Sequence, residues 1–257
     1  MTAARWAKLQ EYVLPYVITL LLLALWEVLD RVSHIPSIVL PPPTEIFSAM
    51  IRYRGVIAEN ALHTFITSII GFGLGVVIGI LIGLATGISP AVYRTISPLL
   101  VAFNAIPKVA LLPLFVLWAG IGVVPAVLTA LALAFFPIAV NVATGLATID
   151  PEMEDLMRSL GARRDEILLK VGIPRAMPFL FASLKIAISL AFVGTVISET
   201  VASNEGIGFL MMSASSNFNV PLVFAGVFVI AVMAVAAYGA CSLIERRMVH
   251  WAFRTQP

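Results

Sequence analysis

The sequence predicts an all-α integral membrane protein with six transmembrane helices, and three observations carry that expectation. Apolar residues make up 60% of the 257-residue chain and charged residues only 12%, against roughly 45–50% and about 25% in soluble domains. The apolar residues gather in six runs long enough to cross a hydrocarbon core of about 30 Å at 1.5 Å per residue. Lysines and arginines collect in alternate loops, as cytoplasmic loops do.

The runs cover residues 12–29, 62–88, 96–118, 123–148, 176–202 and 221–244. No small-residue cleavage site follows the first, so it reads as a spanning helix and not as a removed signal. The third is interrupted by Pro98, Pro107 and Pro113 and holds Lys108. Arg5, Lys8, Arg94, Arg158, Arg163, Arg164, Lys170, Arg175, Arg246, Arg247 and Arg254 fall on one side if both termini are cytoplasmic. The opposite loops 119–122 and 203–220 contain no Lys or Arg.

Arg31, Arg52 and Arg54 are exceptions in the long loop after the first run, where Asp30, Glu45 and Glu59 partly balance them. That loop reads as an extended strap through Pro36 and Leu40-Pro41-Pro42-Pro43. A short amphipathic helix follows at the outer interface, N-capped by Thr44 and carrying Ile46, Phe47, Met50 and Ile51. A net charge of +2 gives no reason to expect a nucleic-acid partner. Cys241, alone in the chain, reads as a core or lipid-facing residue. Neither an internal repeat nor a soluble second domain is visible, so 1–257 is expected to be one transmembrane domain.

Gly71, Gly75, Gly79, Gly83 and Gly87 recur at an unbroken spacing of four in the second run. They line one side of a helix and allow another backbone to approach closely. Gly71-Phe72-Gly73 does not extend to GxGxxG and follows no strand, which excludes a dinucleotide-binding loop.

The loop at about 150–174 is the most informative. Asp150 is placed to cap a helix that starts at Pro151, has Glu152, Glu154 and Asp155 near its positive end and Arg158 near its negative end, and stops at Gly161. Met153, Leu156, Met157 and Leu160 follow the i, i+3, i+4, i+7 pattern and give this helix one apolar stripe. A second helical turn, 165–171, is expected to end at Gly172 and Pro174. Two or three residues suffice to join two spans, so the stripe needs something to bury it. Physics leaves three covers open: the chain itself, the lipid surface, or a cytoplasmic partner.

Here the chain resembles a known family. Asp155-Leu156-Met157, Arg158-Ser159-Leu160, Gly161, then Val171, Gly172 and Ile173-Pro174 stand at the spacing of the "EAA loop" of bacterial ABC importer membrane subunits. Asp replaces Glu, and Leu-Met replaces Ala-Ala. The stretches Leu40-Pro41-Pro42-Pro43-Thr44-Glu45-Ile46, Ile106-Pro107-Lys108-Val109-Ala110-Leu111-Leu112-Pro113-Leu114-Phe115, Phe135-Phe136-Pro137-Ile138 and Ser203-Asn204-Glu205-Gly206-Ile207-Gly208 resemble the nitrate, sulfonate and taurine permease branch. That branch also includes permeases for thiamine-precursor pyrimidines.

The resemblance implies a type I ABC importer transmembrane domain with a short cytoplasmic coupling helix, in a bacterial inner membrane. Its implied partners are a second permease copy in a homodimer, a cytoplasmic ABC ATPase dimer, an extracytoplasmic substrate-binding protein and the surrounding lipid. ATP and magnesium would be bound by the ATPase and no cofactor by this chain, which has no GxxxxGK stretch followed by Ser or Thr. The coupling residues would be Met153, Asp155, Leu156, Met157, Arg158, Leu160, Gly161, Ala162, Arg163, Arg164 and Pro174. The cargo would be a small anionic or heterocyclic nutrient.

Lys108 lies roughly 18 Å along a helix that starts at Ile96, which puts a charge near mid-membrane. It either faces a cavity, favouring an anionic substrate, or marks the inner end of a shorter span and snorkels to water. Proline-broken spans often flank transport sites, so Asn104, Lys108 and Asn141 are candidates for the substrate path. Thr195, Ser198 and Glu199 lie toward the outer end of the fifth run, where Glu199 lines the gate, touches the binding protein or reaches the interface. His34, His63 and His250 are too scattered for a metal site, and no nucleophile stands with a base. A channel or secondary transporter would need no docking helix and would favour inverted repeats. A membrane-embedded enzyme would need catalytic His, Asp or Glu residues at one depth.

Overall fold

The computed structural model describes residues 2–33, 36–87, 89–148 and 151–253, which are helical with short connections. Five helices are long and apolar enough to cross a membrane, and a bent pair counted as one span makes six. The chain divides into two compact units, residues 1–58 with 210–228 and residues 59–209 with 229–257.

The first unit holds α1 (Thr2–Ser33), α2 (Pro43–Arg52), the start of α3 (Arg54–Gly87), the end of α10 (Ile207–Ser216) and the start of α11 (Val220–Met248). The α1 helix runs farther at both ends than the 12–29 expected, and its apolar side chains from Val13 to Val32 are largely exposed to the surroundings. In a spanning helix those surroundings are lipid or protein. Trp26 meets Phe224 of α11 with ring centroids 6.0 Å apart.

The expected Thr44 cap is not formed. The α2 helix starts two residues earlier than a Thr44 cap would set it, behind Pro42 in extended conformation, and has no side-chain cap of its own. Pro43 has no N–H to satisfy. The next amide, that of Thr44, donates to Glu27 Oε2 of α1 (3.1 Å), and its hydroxyl donates to Glu27 Oε1 (2.9 Å). A carboxylate from another helix therefore does the capping, at the end where the helix dipole favours negative charge. Arg31 holds the same Glu27 at 2.6 Å.

The second unit is built around α6 (Val123–Ala147). The glycines of α3 meet a matching ladder on α6, Gly71 on Ala130, Gly75 on Ala134, Gly79 on Ile138, Gly83 on Val142 and Gly87 on Leu146. Residue numbers rise together along both ladders, so the two helices run in the same direction with their i±4 rows in contact. The α6 helix also meets α9 (Ile173–Ala202), where Gly145 of α6 packs against Ala176 of α9 and Gly194 of α9 against the Thr129 carbonyl of α6. The core is made of Ala130, Ala134, Ile138, Val142 and Leu146 of α6 with Ala176, Ala187 and Ala191 of α9. Small side chains at these crossings allow the backbones to approach closely, which drives packing where lipid offers no hydrophobic gain.

The expected single helix over 96–118 is broken. The α4 helix (Pro90–Ala105) and the pair formed by a 3-10 turn (Lys108–Leu111) with α5 (Leu112–Ala119) meet at 74°. Ile106 is extended (ψ 124°) because Pro107 excludes the helical conformation for the residue before it.

The loop between α6 and α9 carries α7 (Pro151–Ser159) and α8 (Arg164–Ile167). Asp150, the expected cap of α7, lies outside the described residues. The expected stop at Gly172 and Pro174 is absent, since α8 passes through a π-helical turn (Leu168–Gly172) straight into α9. Pro174 has no N–H for the Lys170 carbonyl, and the wider π turn accommodates the missing bond and the ring. The loop 203–220, expected to join the last two spans, contains α10.

Candidate functional site

Two places gather chemistry. The first is the α7 loop. Gly161 has φ +81°, open to glycine at no steric cost. The Ala162 amide bonds back to the Met157 carbonyl and the Gly161 amide to the Arg158 carbonyl, both at 3.0 Å. This pair of bonds is a Schellman motif, which ends the helix sharply and satisfies its free carbonyls. The following helix is started by Glu166, whose carboxylate accepts the Arg163 amide at 3.0 Å, half of a capping box.

The helix so defined presents its stripe outward. Met153, Leu156 and Leu160 are 47%, 55% and 75% exposed, while Met157 is half-buried. The chain itself does not cover the stripe. On the charged face Arg158 pairs with Glu154 at 2.5 Å one turn away, Asp155 and Arg163 are exposed, and Ala162 is half-buried. Pro174 lies beyond the π turn at the start of α9.

The second place surrounds Glu199 of α9, 1% exposed. The Thr64 hydroxyl of α3 donates to its carboxylate, 3.0 and 2.9 Å from the two oxygens, and the Gly208 amide donates to Oε2 at 3.0 Å. Thr64 Oγ1 accepts the Ile207 amide (2.8 Å) and Asn60 Oδ1 accepts the Gly206 amide (2.8 Å). The amides of Gly206, Ile207 and Gly208 thus meet oxygen atoms from α3 and α9, with a carboxylate at the positive end of α10. Glycine is required for this. Gly206 has φ +100° and a β-carbon there would collide with the Glu199 carboxylate, and one on Gly208 would stand 2.6 Å from Glu199 Cβ.

Glu199 therefore neither lines an open gate nor reaches the interface; it is a buried cap. Thr195 and Ser198, both fully buried on the same helix, have no hydrogen-bond partner for their hydroxyls among the described residues. Asn60, His63, Thr64, Gly206 and Gly208 were not assigned to this place from sequence. The one signal was the acidic Glu199 inside an apolar run together with Gly206-Ile207-Gly208.

The remaining candidates lie apart from both places. Lys108 is 8% exposed at the bend of the broken span, donating to Asn104 Oδ1 at 2.7 Å with its ammonium 5.0 Å from the centre of the Phe136 ring. Asn141 donates to the Pro137 carbonyl one turn back on α6 (2.8 Å). Among the described residues no three His, Cys, Asp or Glu side chains gather as a metal site.

Five helices, or six with the bent pair counted as one span, are long and apolar enough to cross a membrane, and the loop between α6 and α9 carries a helix whose apolar stripe is uncovered. Residues 75–250 match the family described as "Binding-protein-dependent transport system inner membrane component", and the chain belongs to that family. It is the permease subunit of an ABC importer, in which ATP hydrolysis resides in a separate subunit. It is 32% identical over 238 residues to the formylaminopyrimidine transport permease protein ThiX of Halalkalibacterium halodurans, covering 92% of this chain and 95% of that one. Identity to the riboflavin transport system permease protein RibX of Chloroflexus aurantiacus is 33%, over 90% of this chain and 87% of that protein. With the taurine transport system permease protein TauC of Escherichia coli it is 26%, over 96% and 92%. The fold is similar to that of a chain in inward-facing MetNI methionine ABC transporter, with a TM-score of 0.59 at 22% identity, covering 77% of this chain and 95% of that one.

Proposed function

We propose that α7 is the coupling helix through which a cytoplasmic ATPase dimer drives this permease. The carrying observation is the outward apolar stripe of Met153, Leu156 and Leu160 on a helix fixed by the Gly161 turn. Asp155, Arg158, Arg163 and Arg164 set the register of docking by charge, Met157 and Ala162 pack behind the stripe, and Pro174 passes the movement into α9. In this reading residues 1–257 form one permease domain, with the coupling loop at about 150–174. A second copy completes a homodimer in lipid, an extracytoplasmic binding protein delivers the cargo, and both termini are cytoplasmic, as the basic loops favour.

The cargo in this reading is a small heterocycle of the pyrimidine or flavin kind. Relatives at 32% and 33% identity are named for formylaminopyrimidine and riboflavin, and one at 26% for taurine. The Lys108 ammonium, the charge that would favour an anion, is already engaged by Asn104 and Phe136. Thr195 and Ser198 remain candidates for the path, since their hydroxyls have no partner. The test is to reconstitute the chain with the ATPase and binding protein encoded beside it. A pyrimidine or flavin that raises the melting temperature of the binding protein and stimulates ATP hydrolysis supports the reading. Stimulation by taurine or nitrate alone overturns the heterocycle assignment, and no stimulation by any cargo overturns the importer assignment.

A further inference from the structure

The third span breaks in the middle of the membrane. Gly87, at the end of α3, packs on Leu146, so α4 begins beside the far end of α6, while α5 ends just before α6 begins. The bent pair therefore crosses and does not turn back. Asn104 lies roughly 21 Å along α4 from Pro90, and Phe136 roughly 20 Å along α6 from Val123, at 1.5 Å per residue. Together these lengths come to about the 40–45 Å of a bilayer with its headgroups, which puts the break near the midplane.

The groups at the break suit water and not lipid. Backbone outside a helix is tolerated at this depth only where protein buries it or where it lines a water-filled cavity. Here Ala105, Ile106 and Pro107 are exposed, Ile106 by 44%. Asn104, in the last turn of α4, is exposed as well. Its Oδ1 accepts from Lys108 Nζ at 2.7 Å, and a lysine ammonium only donates, so the amide is held with Nδ2 turned away from Lys108. That Nδ2 has no hydrogen-bond partner among the described residues. Phe103, next to it in the chain, is 43% exposed although its ring meets Phe135 with centroids 5.8 Å apart. An amide with two free N–H groups beside an open aromatic ring matches a planar heterocycle, whose ring nitrogens and carbonyls accept hydrogen bonds while its face stacks.

We propose that Asn104 and Phe103 form the contact at which cargo passes the middle of this chain: the amide hydrogen-bonds a planar heterocycle, the ring stacks on it, and Lys108 is the positioning residue that aims the amide. The class of cargo rests on the heterocycle reading above, whereas the opening of the break to water does not depend on what is carried. Lys108 serves here by holding Asn104, not by meeting the cargo.

The test uses the permease assembled with its ATPase and binding protein in nanodiscs, where both faces meet the buffer. Ile106→Cys, inside the break, is placed in a Cys241→Ala background, and its reaction with a membrane-impermeant thiosulfonate is timed with and without ATP. In one of these states it should react at least about tenfold faster than Val235→Cys on the apolar face of α11, because a thiol in hydrocarbon does not ionise to the reactive thiolate. Formylaminopyrimidine or riboflavin, delivered by the binding protein, should slow the reaction. Asn104→Leu and Phe103→Leu should each raise the cargo concentration for half-protection by roughly two- to tenfold, the size of one hydrogen bond or one aromatic contact. Lys108→Met should raise it as well, and Lys108→Arg should restore it. Ile106→Cys that reacts no faster than Val235→Cys in either state, as it would if lipid or a second copy covered the break, overturns the proposal. Protection that Asn104→Leu and Phe103→Leu both leave unchanged also overturns it. Slowing by taurine alone overturns the heterocycle reading and leaves the contact in place. Each variant must keep the parent's ATPase co-purification, and one that does not is replaced by Asn104→Ser or Phe103→Met.

Discussion

Gly79 lies so close to Ile138 that a β-carbon built on the glycine would stand 2.8 Å from Ile138 Cβ and 2.8 Å from the Phe135 carbonyl oxygen. Contacts this short cannot be met without moving α3 away from α6, because backbone and a β-branched side chain stand in the way. Gly79→Ala should therefore destabilise by about 1–3 kcal/mol, the usual cost of overpacking. Gly73, two residues from the ladder, meets nothing within 4 Å. Gly73→Ala should be neutral or slightly stabilising, by up to about 1 kcal/mol. Thermal unfolding of the two variants in one detergent separates them, and equal midpoints would remove the ladder from the packing account.

The turn after α7 depends on the conformation of Gly161 and not on its space, since no atom lies within 4 Å of where its β-carbon would be. Gly161→Ala is expected to cost about 1–2 kcal/mol locally and to reduce transport while the protein still inserts. Gly161→Glu adds a charge beside the stripe and should abolish transport. Uptake assays beside membrane-fraction blots check both, and normal uptake by Gly161→Glu contradicts the role given to the turn.

Lys185 of α9 and Glu245 of α11 form a pair at 2.7 Å, with side chains only 20% and 10% exposed. Removing one partner leaves a charge with little water. Glu245→Leu or Lys185→Met alone should cost about 2 kcal/mol or more, whereas Lys185→Met with Glu245→Leu should recover most of the loss. A double-mutant cycle on melting temperature measures this, and additive losses would show that the pair does not couple.

Thr195 and Ser198 carry buried hydroxyls with no partner among the described residues. If they serve only packing, Thr195→Val and Ser198→Ala should leave stability unchanged or raise it, since an unpaired buried hydroxyl is costly. If they line the path, the same variants keep their melting temperature but lose uptake. Unfolding and uptake measured side by side decide between packing and path.

What the sequence disclosed follows from how local each feature is. The start of α7 at Pro151 and its end at Gly161 rest on neighbouring residues, and both were legible. The glycine ladder was legible from its spacing of four, but its partner was not, because Ala130, Ala134, Ile138, Val142 and Leu146 share no chemistry that marks them. The prolines announced trouble in the third span, though not a bend of 74°. The α10 helix was missed because ten residues are too few to span. The Glu199 cap joins residues 135 positions apart in the chain, which no local pattern can reveal. Thr44 failed as a cap for a related reason. Glu27, seventeen residues earlier, supplied the acceptor from another helix.

The central claim is that the uncovered stripe of α7 is where the ATPase binds. The most direct measurement places a thiol crosslinker on Leu160→Cys in a Cys241→Ala background and treats the assembled complex in native membranes. A covalent product with the ATPase subunit is expected from Leu160→Cys, none from a control thiol at Val235→Cys on α11, and loss of ATPase co-purification in Leu156→Glu. Crosslinking of Leu160→Cys only to lipid or to the permease itself, with ATPase still bound in Leu156→Glu, would contradict it.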